Sequence, residues 1–385
     1  MSACPCPARF YSHAIHHLGN RFDMTHSDDI QARFFAMLHQ RTGALAAGDS
    51  ISEPLVSASM YHLPDQPAPD RVYGRVANPT VQAAEARLAT LEDAATLLFP
   101  SGMAAYGAVV MALLRAGDKV LLPSDGYYAA RNLMDQVMAP FGVQTDTCTA
   151  AEMADIALDG YKLVIIETPT NPHLDIIDIA ALAARCHAAG ALLAVDNTVC
   201  TPLLQQPLDH GADIIIASDT KAAAGHSDVL MGHVSCRDAA IMERIHAVRS
   251  LAGAIPGPFE SWLLLRGLET LDVRLERMCR NAESLVPLFQ AQPLIKSVIY
   301  PAASHPQMSR PGFLIGVTFA DRSAGERFIK AAQFVPATSF GGIHSSADRR
   351  ERWGDAVPGG FLRLSIGCEP TKQLTDAVTS GLATL

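Results

Sequence analysis

No stretch of about 18 uninterrupted apolar residues occurs in this chain, so a membrane-spanning helix is not expected. Met1 to Arg9 lack the charged-then-apolar layout of a secretory leader. The eight cysteines, at positions 4, 6, 148, 186, 200, 236, 279 and 368, include no CxxC pair. A disulfide scaffold or zinc site needs paired spacing, so reduced thiols in a cytoplasmic protein are expected instead. Fourteen histidines, among them His16 and His17, show no HExxH or comparable ligand spacing, and no metal is expected. Basic excess is lacking as well. The net charge is -9 and the pI about 5.8, which argues against a nucleic-acid partner. No GxGxxG follows a strand, so nothing supports a nicotinamide dehydrogenase. Internal repeats and low-complexity tracts are also missing.

What is present suits a folded globular protein. Hydrophobic residues make up 49% of the 385 residues and charged ones 18%. The length suggests about two to three domains at ~150 residues each. Mid-chain, short apolar runs alternate with helical patterns. Lys162–Glu167 reads as a buried strand ended by Thr168-Pro169-Thr170-Asn171-Pro172. Asp178 then caps a helix whose face carries Ile179, Leu182, Ala183 and Cys186, and Gly190 stops it. Further runs at Ala191–Val195, Ala212–Ala217 and Val229–Ser235 complete an α/β pattern, which implies a largely parallel sheet covered on both faces. From Phe259 to about Phe289 the periodicity predicts one long amphipathic helix. Strands are then expected at Ser297–Tyr300, Phe313–Phe319 and Phe361–Ile366, with helices near Ala324–Ala332 and Thr371–Leu382. The Pro- and Gly-rich loop around Gly253–Pro258 marks a boundary. The division expected is an N-terminal arm and helix over 1–64, a large domain over 65–256 and a smaller α+β domain over 257–385.

A phosphorylated aldehyde cofactor needs an amine to hold the aldehyde, a cradle for phosphate, a carboxylate opposite the pyridine nitrogen and a flat partner for the ring. Lys221 follows the buried strand Ile214–Ala217, where sheets of this kind bind ligands. Ser218 and Thr220 can reach a phosphate, and Ala222-Ala223-Ala224-Gly225 leaves room for a ring. Asp196 ends the strand before that one, placed to pair with a pyridinium nitrogen. Ser101-Gly102-Met103-Ala104-Ala105 opens a helix after an apolar run, a natural anion site. Tyr127 or Tyr128 can stack on a ring. Singly, each has an ordinary reading: a surface lysine, a cap aspartate, a strand-to-helix turn, packed tyrosines. Only their order along the chain changes the balance.

In that order the segments strongly resemble the Cys/Met-metabolism family of pyridoxal-phosphate enzymes, the cystathionine γ-synthase-like branch of the aspartate aminotransferase fold. The matching stretches are Tyr73–Thr80, Ser101–Ala105, Glu167–Pro172, Asp196–Thr198, Ser218–Gly232, Trp262–Arg274 and Phe361–Glu369. The resemblance implies a fold type I enzyme in which Lys221 holds pyridoxal 5'-phosphate as a Schiff base and shuttles protons. It implies that Asp196 faces the pyridine nitrogen and Asn171 the phenolic oxygen. Gly102, Met103, Ser218 and Thr220 bind phosphate, with Ser101 and Thr198 as further cofactor contacts. Tyr127 is the stacking and catalytic tyrosine, although Tyr128 stands where the family usually has glycine, which leaves the register open by one. Tyr73 and Arg75 reach the phosphate of a neighbouring subunit, implying a homo-oligomer, commonly a dimer of dimers. Arg363, aided by Ser339, clamps the α-carboxylate of a sulfur-containing amino-acid substrate.

Departures from the family pattern bear on the reaction. Phe340 and His344 stand where members commonly show Leu and Glu, and Thr338 where animal cystathionine γ-lyases often have Glu. The run Ala347–Trp353 replaces a Pro-rich loop, and Ser218-Asp219-Thr220-Lys221 replaces the common Ser-Ala-Thr-Lys. These look most like bacterial cystathionine γ-lyases. Ala129 and Ala130, near a usual cysteine position, disfavour methionine γ-lyase. The expected activity is α,γ-elimination of cystathionine. Cystathionine γ-synthase, methionine γ-lyase and cystathionine β-lyase remain as alternatives, with a non-turning-over cofactor-binding homologue as another class.

Overall fold

A computed structural model describes residues 26–64, 71–302 and 305–385. Residues 1–25 of the expected N-terminal arm, with Cys4, Cys6, His16 and His17, lie outside the described residues. In chain order the first half comprises α1 (His26–Leu38), α2 (Pro79–Glu92), β1 (Ala95–Phe99), α3 (Gly102–Leu113), β2 (Lys119–Pro123), α4 (Tyr128–Leu133), β3 (Gln144–Cys148), β4 (Tyr161–Glu167), α5 (Ile179–Ala188), β5 (Leu192–Asp196), α6 (Thr201–Leu204), β6 (Ile214–Ala217) and β7 (Gly232–Cys236). These seven strands form one sheet in the order β1-β7-β6-β5-β4-β2-β3. Pairing is parallel from β3 through β6, whereas β7 runs antiparallel to both β6 and β1.

The sheet is covered on both faces, and β4 shows why its sequence is an uninterrupted apolar run. Leu163 and Ile165 pack into one core with α3, while Val164 and Ile166 pack into another with α5. Successive strand residues point to opposite sides, so a strand buried on both must be apolar throughout. The helices start where short polar side chains cap them. Asn78 accepts from Thr80 N and Val81 N ahead of Pro79, Ser101 accepts from Ala104 N, and Asp178 accepts from Ala181 N.

The chain continues through α7 (Ala239–Ala252), α8 (Pro258–Leu268), α9 (Leu271–Ala291), β8 (Ser297–Ile299), β9 (Leu314–Thr318), α10 (Arg322–Ala331), β10 (Val335–Pro336), β11 (Ser346–Asp348), β12 (Phe361–Ser365) and α11 (Thr371–Leu382). The second sheet has the order β10-β11-β12-β9-β8 and its own core, which includes Phe289, Phe319 and Phe328. The fold is therefore α/β of the expected kind: a large, mainly parallel sheet followed by a smaller α+β part.

Three expectations need correction. The single helix from Phe259 to Phe289 is two helices, α8 and α9, broken at Glu269-Thr270. Periodicity continues across the break because Leu268 and Leu271 enter the same core. The strand after the lysine segment begins at Gly232, not Val229. The residues before it are held otherwise: Met231 exchanges hydrogen bonds with the backbone and hydroxyl of Thr220. Finally, Ala222–Ala224 do not leave room for a ring. They are buried beneath α8, where a Cβ on Gly267 would come within 2.6 Å of Ala224 O. Arg274 donates to Ala222 O at 2.6 Å and to Ala223 O at 3.0 Å. Small residues there let a helix and a guanidinium approach the backbone.

Candidate active site

The C-terminal ends of β4, β5 and β6 deliver three groups side by side. Glu167 and Asp196 are the last residues of β4 and β5 and stand opposite each other in register. Lys221 sits four residues past β6. Its Nζ donates to Ser339 Oγ at 2.9 Å and lies 5.1 Å from the centre of the Phe340 ring. Burial, then the nearby Arg363 charge, lowers its pKa to about 8. Burial also raises Asp196, whose Oδ1 accepts from Thr198 N at 3.0 Å. Burial and then the Asp196 charge push Glu167 up to about 8.

The small sheet contributes from the other side. Leu362 and Leu364 face its core, so Arg363 between them points away from that core. Arg363 is 2% exposed. It donates from Nη1 to Asn171 Oδ1 at 2.6 Å, from Nη2 to Thr338 O at 2.6 Å, and at 3.4 Å to Asp348 Oδ2. Its Nε is buried without a partner. The Phe340 ring centre is also 5.0 Å from the Arg363 guanidinium carbon, so both cations lie against one ring.

A cradle of backbone closes the arrangement. Ser218 N donates to Thr198 Oγ1 at 2.8 Å, joining the β5 and β6 ends. A Cβ on Gly102 would stand 2.7 Å from Ser218 Cβ, so only glycine lets the start of α3 lie against that turn. Met103 follows in the first turn of α3. Tyr127 donates its backbone N–H to Glu167 at 2.9 Å, and with Asp196 it lines a small cavity. Tyr128 instead begins α4, with its ring centre 5.3 Å from that of Tyr127. A larger cavity, about 500 Å³, lies between α10 and β10–β11 in the small lobe, but it carries none of these groups.

Comparison with known proteins agrees with this geometry. Residues 36–383 match the family model described as Cys/Met metabolism PLP-dependent enzyme. The chain belongs to that family. It is 44% identical over 335 residues to a Streptomyces coelicolor protein named "Putative cystathionine gamma-lyase", covering 83% of this chain and 85% of that one. It is 37% identical over 335 residues to a cystathionine gamma-synthase of Mycobacterium tuberculosis, covering 80% and 86%. The crystal structure of metB from Corynebacterium glutamicum superposes with a TM-score of 0.86 at 34% identity, covering 91% of this chain and 98% of that one.

The family's cofactor is pyridoxal phosphate, and the residues here fit it. A buried amine of lowered pKa, a strand-end carboxylate and a glycine-bounded helix start meet around the C-terminal ends of β5 and β6. Two sequence-level candidates lie elsewhere. Tyr73 is 45% exposed, and Arg75 donates to Ser250 O at 3.0 Å, with no contact from either to Lys221 among the described residues. The Thr220 hydroxyl is engaged by the Met231 backbone. Three site residues escaped sequence reading as functional: Glu167, Asp348 and Arg350. Glu167 ends a strand in register with Asp196, a signal that was available. Asp348 accepts from Arg350, Arg352, Trp353 and Arg363, a convergence that no local spacing announces.

Proposed function

We propose that this member of the family is a C–S lyase acting on cystathionine, which with water gives cysteine, 2-oxobutanoate and ammonia by α,γ-elimination. The observation that carries this reading is the pairing of Lys221 with Arg363 around Phe340. A proton-accepting amine and a carboxylate clamp lie against the same ring, and the Streptomyces relative bears a γ-lyase name. Pyridoxal phosphate, when bound, supplies the electron sink that makes protons on the substrate carbons removable.

The residues then divide the work. Arg363 binds the α-carboxylate, with its free Nε available to a second oxygen and Ser339 beside it. Lys221 holds the aldehyde in the resting enzyme and afterwards moves protons at Nζ between substrate carbons; a pKa of about 8 lets it do so near neutral pH. With the cofactor bound, Asp196 would face the pyridine nitrogen and Asn171 the phenolic oxygen. Ser101, Gly102, Met103, Thr198, Ser218 and Thr220 would hold the phosphate end. Tyr127 would cover the ring. The exposed Tyr73 and Arg75 reach a neighbouring subunit's phosphate, so the working form is a homo-oligomer built from dimers. The same reading divides the chain into an arm (1–64), a cofactor domain (65–256) and a C-terminal domain (257–385).

A second reading is cystathionine γ-synthase, favoured by the 37% identity to the mycobacterial synthase. Product identification separates them. The purified enzyme is incubated with cystathionine alone, and separately with an activated homoserine ester plus cysteine. Cysteine and 2-oxobutanoate from the first incubation support the lyase. Cystathionine from the second, with the first inert, supports the synthase. Pyruvate and homocysteine would overturn both in favour of β-elimination.

A further inference from the structure

Three buried ionisable groups lie beneath the lysine turn and take no part in the chemistry above. His233 on β7 is 1% exposed, Asp219 is 1%, and Glu92, the last residue of α2, is 0%. His233 Nδ1 lies 2.9 and 3.0 Å from the two carboxylate oxygens of Asp219. Its Nε2 lies 3.2 Å from Glu92 Oε1. A neutral imidazole carries a single N–H, so it can donate to only one of the two carboxyl groups. A ring that carries both protons donates to both carboxyl groups and leaves Glu92 Oε2 as the one oxygen of the triad buried without a hydrogen-bond partner. Burial alone would lower the ring's pKa, but Asp219 and then Glu92 outweigh it and push it up to about 10.

The position of this triad is what matters. His233 stands opposite Ala217, the last residue of β6, and Leu98 of β1. Asp219 is two residues before Lys221, within the turn that also carries Ser218 and Thr220. Its backbone carbonyl accepts from Ala224 N at 2.9 Å. Asp219 is also the residue that replaces alanine in the common Ser-Ala-Thr-Lys. A chain of charge-assisted hydrogen bonds thus runs from the end of α2 through β7 to the lysine turn. The imidazolium charge also opposes the upward push that burial gives Asp196.

We propose that His233 is a positioning residue for Lys221: held as an imidazolium between Glu92 and Asp219, it fixes the Ser218–Lys221 turn that presents the lysine amine. This rests on the reading of Lys221 as the working amine. The turn cannot shift without breaking a buried ion pair, which is strongly unfavourable. Lys221 is therefore anchored from below by the triad and met from above by Ser339.

The test uses the holoenzyme. With ring-¹⁵N-labelled histidine, NMR between about pH 7 and 9, above the ordinary histidine pKa, should show both His233 nitrogens protonated. A neutral tautomer overturns the proposal and needs no variant. Asp219→Asn and His233→Asn are each expected to lower kcat about tenfold, leaving KM for the amino acid within about twofold because Arg363 comes from the other sheet. The double variant should lose no more than either single one, because the two residues act as one unit. Unchanged kcat with a lowered Tm would make the triad merely structural and sink the idea, as would losses that multiply in the double variant. Should His233→Asn fail to fold, Asp219→Asn and the NMR measurement still decide. Failure of the Lys221 reading looks different: Lys221→Ala would then retain turnover whatever the state of His233.

Discussion

Arg363 donates to Asn171 Oδ1 at 2.6 Å, so a guanidinium carried by the small sheet is held at the mouth of the large one. Asn171 lies in the loop after β4, and the bond joins two parts of the chain almost 200 residues apart (192 positions). The same guanidinium leaves Nε buried and unpartnered. An unsatisfied charged donor in a buried site is costly, and a substrate carboxylate would relieve it. Arg363→Lys keeps the charge but loses the planar fork. We expect kcat/KM to fall at least ~30-fold, about 2 kcal/mol, mostly through KM. Steady-state kinetics check this; an unaltered KM would remove Arg363 from substrate binding.

The Phe340 ring centre lies 5.1 Å from the Lys221 amine and 5.0 Å from the Arg363 guanidinium carbon. The ring face stabilises the protonated amine, opposing the depression caused by burial and by Arg363. In the cofactor-free protein, amine-directed labelling of Lys221 should have its half-point near pH 8, the value to which its pKa is lowered. Phe340→Leu should move that point lower by about half a pH unit, equivalent to ~0.7 kcal/mol. Mass spectrometry of the labelled peptide across pH reads both. A half-point that rises would show that the ring acts by excluding water rather than by its face.

Much of the candidate site was legible in the sequence because the groups at the ends of β4, β5 and β6 are local. A strand that ends in Asp196, a strand followed by Ser218–Lys221 and a helix start at Gly102 each announce themselves within a few residues. What could not be read arises from folding the small sheet onto the large one. Asp348 and Arg363 are cross-strand partners, and Arg350 reaches both Asp348 and Asp355 at 3.0 and 2.6 Å. That network depends on sheet register, not on spacing. The break between α8 and α9 was hidden for a related reason: both helices bury leucines in one core, so the apolar period runs on through the turn. The alanines after Lys221 misled because small residues serve close packing as readily as they make space.

Gly102 tests the proposed phosphate cradle. A methyl group there would press on Ser218 Cβ at 2.7 Å and Ser218 Cα at 3.0 Å. Both atoms belong to a turn that cannot give way freely. Gly102→Ala should therefore push the start of α3 away from Ser218 while the rest of the fold stands. Cofactor should dissociate at least ~10-fold more readily, about 1.4 kcal/mol, measured by equilibrium dialysis against free pyridoxal phosphate. Unchanged affinity would place the phosphate elsewhere.

Glu167 gives the cofactor-free protein a pH dependence of definite sign. Burial first, then Asp196, raises its pKa from 4.5 to about 8. The folded protein therefore binds this proton more firmly than the unfolded chain does. Its contribution to stability is fully present below pH 4.5 and is lost as pH rises through about 8. His233, raised from 6.5 to about 10, adds a loss of the same sign at higher pH. Lys221, lowered from 10.5 to about 8, acts in the opposite sense between those values. The range from 4.5 to 6.5 thus isolates the carboxyl from both. Glu167→Gln keeps the shape, removes the titration and can still accept from Tyr127 N. Urea unfolding across that range should show wild-type stability declining against the variant as pH rises. Parallel curves would mean that Glu167 is ionised throughout that range.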